Sequence, residues 1–565
     1  MESEDLRLAL RNVPLFAPLD DESLDRIAST ASSVEVRSDD WLFHEGDPAS
    51  ALYVVLAGKL EVCSGSGEAS TALRVLRRGA VLGELAVLTG GRRSAAVRAR
   101  RDCQLLRLGR GEFEALCDRQ PAFRRRLTES LATQLAESQG RTEPAPRRST
   151  TVLVPGEPGA PVAAVAARLA GLLGDAGSLA VLHGEDDERN SALRLDHAEA
   201  DAERVLLVAL QPIGEGDSWT EFCIRQADRI VLVSRCANPP SYPSDSGAQA
   251  GAEILVVGRG PALPSWIEGL RPALIHRVGE QPGFARLERL ARRLSERALG
   301  AVLSAGGARA FAHIGILAEI EAAGYVVDRV GACSMGSTVG ALYAGGLSPE
   351  QIREFAHART IEGNHFLRHG SRAVEVLARE LEEHLEGARI EDLARDFFCV
   401  STDLGAGELV VHRNGSLAEA CHASMALPAV ATPAVQGERV LVDGAVLNGL
   451  PVDIMDAEQD GPILASDVTG RSARMARWVG RWVRSAEDQR GELPLFDVAV
   501  QALDVASQRS IDEGRQRASL VFEPEVPYGT LAFDKLDDLI AAGRRHAQAI
   551  LEASPAPLSP SARSR

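Results

Sequence analysis

Ser334 stands in ACSMG (332–336), where a short β-branched run ends, small residues surround a hydroxyl, and a small-residue helical run follows. A strand-to-helix turn that displays a serine nucleophile is written this way. Upstream, LSAGGARAFAHIGIL (303–317) is a glycine-rich turn opening a helix. The N–H groups at such a turn have no helical partner and can stabilise an oxyanion, with Arg309 adding positive potential. Downstream, VLVDGAVLNGLPV (440–452) ends a strand with Asp443 in a tight turn. Serine, amide cradle and carboxylate are the minimum inventory for acyl transfer. Taken singly, each motif is more often plain structure. An aspartate at its ordinary pKa of about 3.9 is a poor base for a serine hydroxyl, so Asp443 has to be partly desolvated to serve.

A second chemistry is written in GELAVLTGGRRSAAVRA (83–99), where Gly-Glu opens one helical turn and an arginine follows after a Gly-Gly break. Helix-start amides and the Arg93 guanidinium both favour phosphate, and Glu84 can accept from a ribose hydroxyl. The plain alternative is a surface hairpin with a solvated arginine pair.

Positioning these residues takes three blocks. Residues 1–137 read as a β-roll with helices, since short alternating strands such as LYVVLAGKLEV (52–62) and CQLLRLG (103–109) are broken by Gly and Asp turns. The stretch 138–150, rich in Pro, Ser, Thr and charge, reads as a linker. Residues 151–297 alternate strand-like and helical runs, the pattern of a parallel α/β sheet, and 298–554 are α/β again. Residues 555–565 read as a disordered tail. In the middle block TVLVPGEPGAP (151–161) has the layout of a phosphate loop, but residues 151–300 contain no lysine, so it reads as a degenerate P-loop-like scaffold with an empty site.

Composition narrows the partners. A formal net charge of -17 over 565 residues argues against nucleic-acid binding, which needs a basic excess. The 8 cysteines are scattered without CxxC pairs, so neither zinc nor a disulfide framework is expected, and a reducing cytoplasm fits. No metal or required cofactor is implied. The N-terminus lacks a secretory pattern, and no apolar run is long enough to span a bilayer.

With FHEGDPASALYVVLAGKLEV (43–62) ahead of it, the 83–99 cassette makes residues 8 to 135 resemble the cyclic-nucleotide-binding domain. That resemblance implies that Arg93 binds a cyclic phosphate and Glu84 the ribose 2′-OH, with Gly83, Leu85, Ala86 and Ser94 lining the site. The ligand would be cAMP or cGMP, and a hydroxyl at position 94 is found in some cGMP readers. In bacterial regulators this module often precedes a helix-turn-helix; here a linker and an α/β block follow, which argues against a transcription factor.

Residues 300 to 550 resemble the patatin-like phospholipase family, with STDLGAGELV (401–410) and CHASMALPAV (421–430) falling where that family has similar stretches. The resemblance implies a serine esterase with a Ser–Asp dyad: Ser334 as nucleophile, Asp443 as general base, and an oxyanion loop of Gly306, Gly307, Ala308 and Arg309. A Ser–His–Asp triad is the weaker alternative, because His412, His422 and His546 lack motif context. The block order is similar to that of bacterial relatives of neuropathy target esterase, a group associated with lysophospholipid hydrolysis.

Four family glycines are alanine here, at Ala305, Ala310, Ala332 and Ala445. Wherever the glycine would hold positive φ, a side chain costs about 1 to 2 kcal/mol. RSARMARWVGRWVR (471–484) would place four arginines on one helical face and tryptophans opposite, as an interfacial helix does; an ordinary core-packing helix is the alternative. The expectation is a cytoplasmic serine esterase, peripheral on the inner face of the membrane, that cleaves (lyso)phospholipid acyl esters under cyclic-nucleotide control. The rival is a catalytically weak receptor or scaffold that binds a cyclic nucleotide and lipid or protein.

Overall fold

In the computed structural model the described residues run from 7 to 553, apart from 65–70, 129–149, 185–190, 238–251, 280–285, 360–369, 470–506 and scattered positions, singly or in pairs. The linker, the tail and the segment 471–484 therefore lie outside the described residues, apart from Thr150. The chain divides into two compact units, Met1–Ala273 and Leu274–Arg565.

The first unit begins with two four-stranded sheets whose paired strands are antiparallel, the roll that the alternating patterns predict. Its short helix α1 (Glu84–Thr89) carries the cassette. Five strands of a parallel sheet follow, in the spatial order Leu179–His183, Arg204–Val208, Thr150–Pro155, Arg229–Ser234, Glu253–Val257. In the last four of these the interior residues are almost all buried Val, Leu and Ile, as expected of strands covered on both faces, while Leu179–His183 is only part-buried.

An ion network of two buried cations and two part-buried carboxylates ties the roll to this sheet. Lys59 Nζ lies 3.0 Å from Asp228 and 3.2 Å from Glu199, and Arg101 reaches the same two carboxylates at 2.6 and 2.8 Å. Burial opposes the charge on Asp228, but Arg101 and Lys59 outweigh it and hold its pKa down at about 2. Lys59 is one of only two lysines in the chain.

The second unit is built on an eight-stranded sheet: β1 (Leu299–Leu303), β2 (Val327–Cys333), β3 (Asp396–Asp403), β4 (Glu408–His412), β5 (Ala434–Gln436), β6 (Arg439–Asp443), β7 (Ile463–Ser466) and β8 (Leu520–Phe522). The spatial order is β5-β6-β3-β2-β1-β7-β8, with β4 also paired to β3. The central run β3-β2-β1-β7-β8 is parallel, while β4 and β6 run antiparallel to β3. Six helices matter for the site: α2 (Phe311–Ala322), α3 (Met335–Ala344), α4 (Pro349–His357), α5 (Ala373–His384), α6 (Leu417–Met425) and α7 (Leu536–Ala553). Every residue of α3 is buried, which is why its sequence, MGSTVGALYA, is small and apolar all round.

Candidate active site

Neighbouring strand ends bring the chemistry together. Leu303 pairs with Ala332 in the parallel β1–β2 ladder, so the turns after these two strands leave the sheet side by side. Cys333 pairs with Val400, and the next residue of β3, Ser401, pairs with Asp443. The three motifs, far apart in sequence, therefore meet at one edge of the sheet. Ligands of open α/β sheets bind at this carboxyl edge.

Ser334 occupies the turn between β2 and α3 with φ 54° and ψ -133°. A non-glycine residue there is strained, and such strain persists only where the surroundings hold it. They do so here: the Ser334 N–H donates to Ser424 Oγ at 3.0 Å, and its carbonyl accepts from the Ser337 N–H at 2.8 Å and the Ser337 hydroxyl at 2.6 Å. The Ser334 hydroxyl donates to Asp443 Oδ2 at 2.5 Å. Asp443 is 1% exposed, and burial pushes its pKa up to about 6, against hydrogen bonds from Ser334, the Ala445 N–H and Cys333 that favour the ionised form. A carboxylate so placed is a usable base near neutral pH.

None of the three triad histidines joins this pair. His412 is buried against the Ser401 hydroxyl at 2.7 Å, His422 bonds the Thr432 carbonyl, and His546 accepts from the Glu523 N–H. Among the described residues, Ser334 Oγ bonds a carboxylate and no histidine.

The glycine-rich turn separates into parts with different duties. Among the described residues, no protein acceptor takes the Gly306 and Gly307 amides. The Ala308 N–H is already given to the Thr530 carbonyl at 2.8 Å. Arg309 is 2% exposed, and its guanidinium bonds the carbonyls of Gly306 and Thr469. Arg309 thus stays within the turn with two of its donors on loop carbonyls, so its expected contribution to an oxyanion is one of charge. Behind the loop, His313 bridges the Ser304 carbonyl and the Ser466 hydroxyl at 3.0 and 2.6 Å, and burial lowers its pKa to about 4.

The four alanine substitutions carry no backbone penalty. Ala305, Ala310, Ala332 and Ala445 are all absent from the described non-glycine residues with positive φ, and Ala310 sits at φ -59°. The turn's conformational demand falls on Gly307 instead, at φ 57°, where a Cβ would also lie 2.4 Å from the Thr530 carbonyl oxygen. The methyl of Ala332 has room because it faces Gly340 on α3.

In the roll, Arg93 is 5% exposed, and its guanidinium donates to the carbonyls of Ala51 (2.8 Å) and Gly83 (3.3 Å) while lying 4.2 Å over the Phe43 ring. Gly83 and Glu84 lie beside it at the start of α1; Leu85 and the buried Ala86 lie on the same helix, and Ser94 is exposed. In the middle block, the loop after the first strand holds the Glu157 carboxylate, which accepts from the Arg235 N–H at 2.7 Å and the Ala237 N–H at 3.3 Å. A negative side chain there is the opposite of what a nucleotide phosphate needs.

Ser424, Cys333, Thr530 and Thr402, whose hydroxyl donates to the Asp443 carbonyl at 3.2 Å, were not legible as site residues. Ser424 lies 90 positions from the serine whose amide it holds, and only the fold joins them.

Comparison with known proteins bears on the two domains. Residues 301–456 match the family model described as patatin-like phospholipase, and residues 33–120 match the cyclic nucleotide-binding domain. The fold and site thus define a patatin-like lipid hydrolase joined to a cyclic-nucleotide-binding module. An NTE family protein of Mycobacterium tuberculosis is 31% identical over 98% of this chain and 97% of its own length. The chain belongs to the NTE family. Human patatin-like phospholipase domain-containing protein 6 is 28% identical over 76% of this chain, which spans 37% of that protein, and a lysophospholipase of Mycosarcoma maydis is 25% identical over 97% of this chain and 35% of its own.

Proposed function

We propose that this chain hydrolyses acyl esters of lysophospholipids and phospholipids through a Ser334–Asp443 dyad, with the N-terminal roll reading a cyclic nucleotide. The observation that carries the proposal is the 2.5 Å contact between a strained serine hydroxyl and a buried carboxylate whose pKa is raised to about 6. The lysophospholipase named among the relatives supports the substrate class.

In the first half-reaction the Ser334 oxygen attacks the acyl carbonyl carbon and its proton passes to Asp443. The oxyanion formed accepts from the Gly306 and Gly307 amides. Collapse breaks the carbon–oxygen ester bond; the leaving alkoxide takes the proton back from Asp443 and departs as the alcohol, leaving an acyl-serine. In the second, Asp443 takes a proton from water, the hydroxide oxygen attacks the acyl-serine, and the carboxylic acid leaves as Ser334 regains the proton. Burial of Asp443 makes both transfers feasible near neutrality.

In the roll, a cyclic phosphate would compete with the Ala51 and Gly83 carbonyls for the Arg93 guanidinium. The organisation we propose is a reader domain over 1–137, a linker over 138–150, a scaffold over 151–297 and a hydrolase over 298–554. Membrane contact through 471–484 belongs to the same proposal; no helix among the described residues is long and apolar enough to cross a membrane.

Fluorophosphonate labelling of the full chain tests the dyad. We expect labelling in the wild type and none in Ser334→Ala, followed by fatty-acid release from lysophosphatidylcholine by the wild type only. Labelling that persists in a folded Ser334→Ala would refute the assignment. Calorimetry with cAMP and with cGMP tests the reader: we expect heat from one of them and none in Arg93→Ala, and no heat from either on the wild type removes it.

A further inference from the structure

His313, the third residue of α2, is fully buried and takes no part in the reaction steps. Its ring nitrogens reach the Ser304 carbonyl at 3.0 Å and the Ser466 hydroxyl at 2.6 Å. A carbonyl can only accept, so Nε2 carries the hydrogen. Burial lowers the pKa to about 4, against the Ser304 bond and the pull of Asp467. Near neutrality the ring is therefore uncharged, and Nδ1 accepts from the Ser466 hydroxyl.

The carbonyl so held lies where the two halves of the site touch. Ser304 stands two residues before Gly306, and Gly336 two residues after Ser334. A Cβ at Gly336 would come within 2.5 Å of the Ser304 carbonyl oxygen and 3.0 Å of the Leu303 one. The root of the glycine-rich turn and the serine turn thus meet backbone to backbone. Other groups of Ser304 tie it to β7 and the residues just after it: its N–H donates to the Ser466 carbonyl at 3.0 Å, and its hydroxyl accepts from the Val468 N–H at 3.0 Å.

We infer that His313 is a positioning residue: by holding the Ser304 carbonyl against Gly336, it sets the spacing between the Gly306 and Gly307 amides and the Ser334 oxygen. The inference rests on Ser334 being the nucleophile and on those amides receiving the oxyanion. Such donors act on charge that develops in the transition state, so a displaced loop root is felt in kcat and little in substrate binding.

The test compares the wild-type full chain with His313→Ala, His313→Gln and Ser466→Ala on p-nitrophenyl butyrate, with rates expressed per Ser334 site titrated by a fluorophosphonate. Counting sites removes any loss of folded protein. His313→Ala takes the donor from the Ser304 carbonyl and should lower kcat by about 10- to 100-fold, with KM within about threefold. His313→Gln offers an amide N–H to the same carbonyl and should recover most of that loss. Ser466→Ala frees Nδ1 alone and should lower kcat in the same direction by a smaller factor. In the phosphonylated enzyme the phosphoryl oxygen takes the oxyanion's place, so its phosphorus NMR resonance should move in His313→Ala and return towards the wild-type position in His313→Gln. Unchanged kcat per site with an unmoved resonance in His313→Ala, or in Ser466→Ala should the first variant fail to fold, would overturn the positioning role. A loss that falls on KM alone would do the same. Absence of Ser334-dependent labelling and turnover in the wild type would instead overturn the dyad, and the positioning role with it.

Discussion

Replacing Asp443 with asparagine removes the base while keeping its shape, and the structure sets both the size and the pH dependence of the result. The ordinary carboxyl value of 3.8 and the value of about 6 in the fold differ by an amount worth about 3 kcal/mol at 1.36 kcal/mol per pH unit. Below pH 3.8 the carboxyl is protonated in the folded and unfolded chains alike, and its burial costs nothing through ionisation. As pH rises through 3.8 the unfolded chain loses the proton first, and by pH 7 the folded chain has had to ionise a desolvated group. Stability is therefore lost as pH rises between these values, and the loss is complete above about 6. Asp443→Asn escapes it. In urea unfolding of the full chain, the stability of the variant relative to wild type should rise by about 2 to 3 kcal/mol between pH 4 and pH 8, and subtracting the two pH values cancels the fixed effect of the amide. Esterase kcat should fall by about 10²- to 10⁴-fold over the same range. Wild-type kcat/KM should climb through pH 6 and level off above it. A stability difference that stays flat or shrinks with pH would refute the desolvated-base reasoning, and so would full turnover by the variant.

Restoring glycine at Ala310, whose backbone is already helical, should leave kcat unchanged within about twofold and cost roughly 0.5 to 1 kcal/mol in the melting transition. Gly307→Ala should do the reverse and lose activity, because its Cβ would press on the Thr530 carbonyl at a left-handed backbone position; normal kcat in that variant would exclude the turn from the oxyanion site. Ser424→Ala withdraws the acceptor of the Ser334 amide and should lower kcat with little change in KM, read on a short p-nitrophenyl ester. Arg101→Met leaves the part-buried Asp228 and Glu199 with one cation fewer, and should destabilise the N-terminal unit by about 3 kcal/mol in urea unfolding followed by tryptophan fluorescence.

Much of the site could be read from local chemistry. The small-residue run around Ser334, the glycine-rich turn at 306–307 and the Asp443 turn announce themselves because a strand-to-helix elbow, an amide cradle and a strand end each demand particular residue types over a few positions. Alternating and continuous apolar runs likewise marked the roll and the two α/β blocks, since burial on one face or both leaves a period in the sequence. Distance along the chain hid the remainder. Whether Ser334 could reach a carboxylate depended on β6 pairing with the last residues of β3, a long-range register that no local pattern encodes. The raised pKa of Asp443 came from packing on every side, and the supporting bond from Ser424 from a helix 90 residues away. The four alanines could be weighed only once their φ angles were known, because residue type states what is missing from a turn but not the backbone conformation it adopts. Sequence determined which groups were available for acyl transfer. Tertiary structure decided which of them meet and which amides, like that of Ala308, are already taken by a neighbouring carbonyl, because burial and contact are properties of the packed chain and not of its local segments.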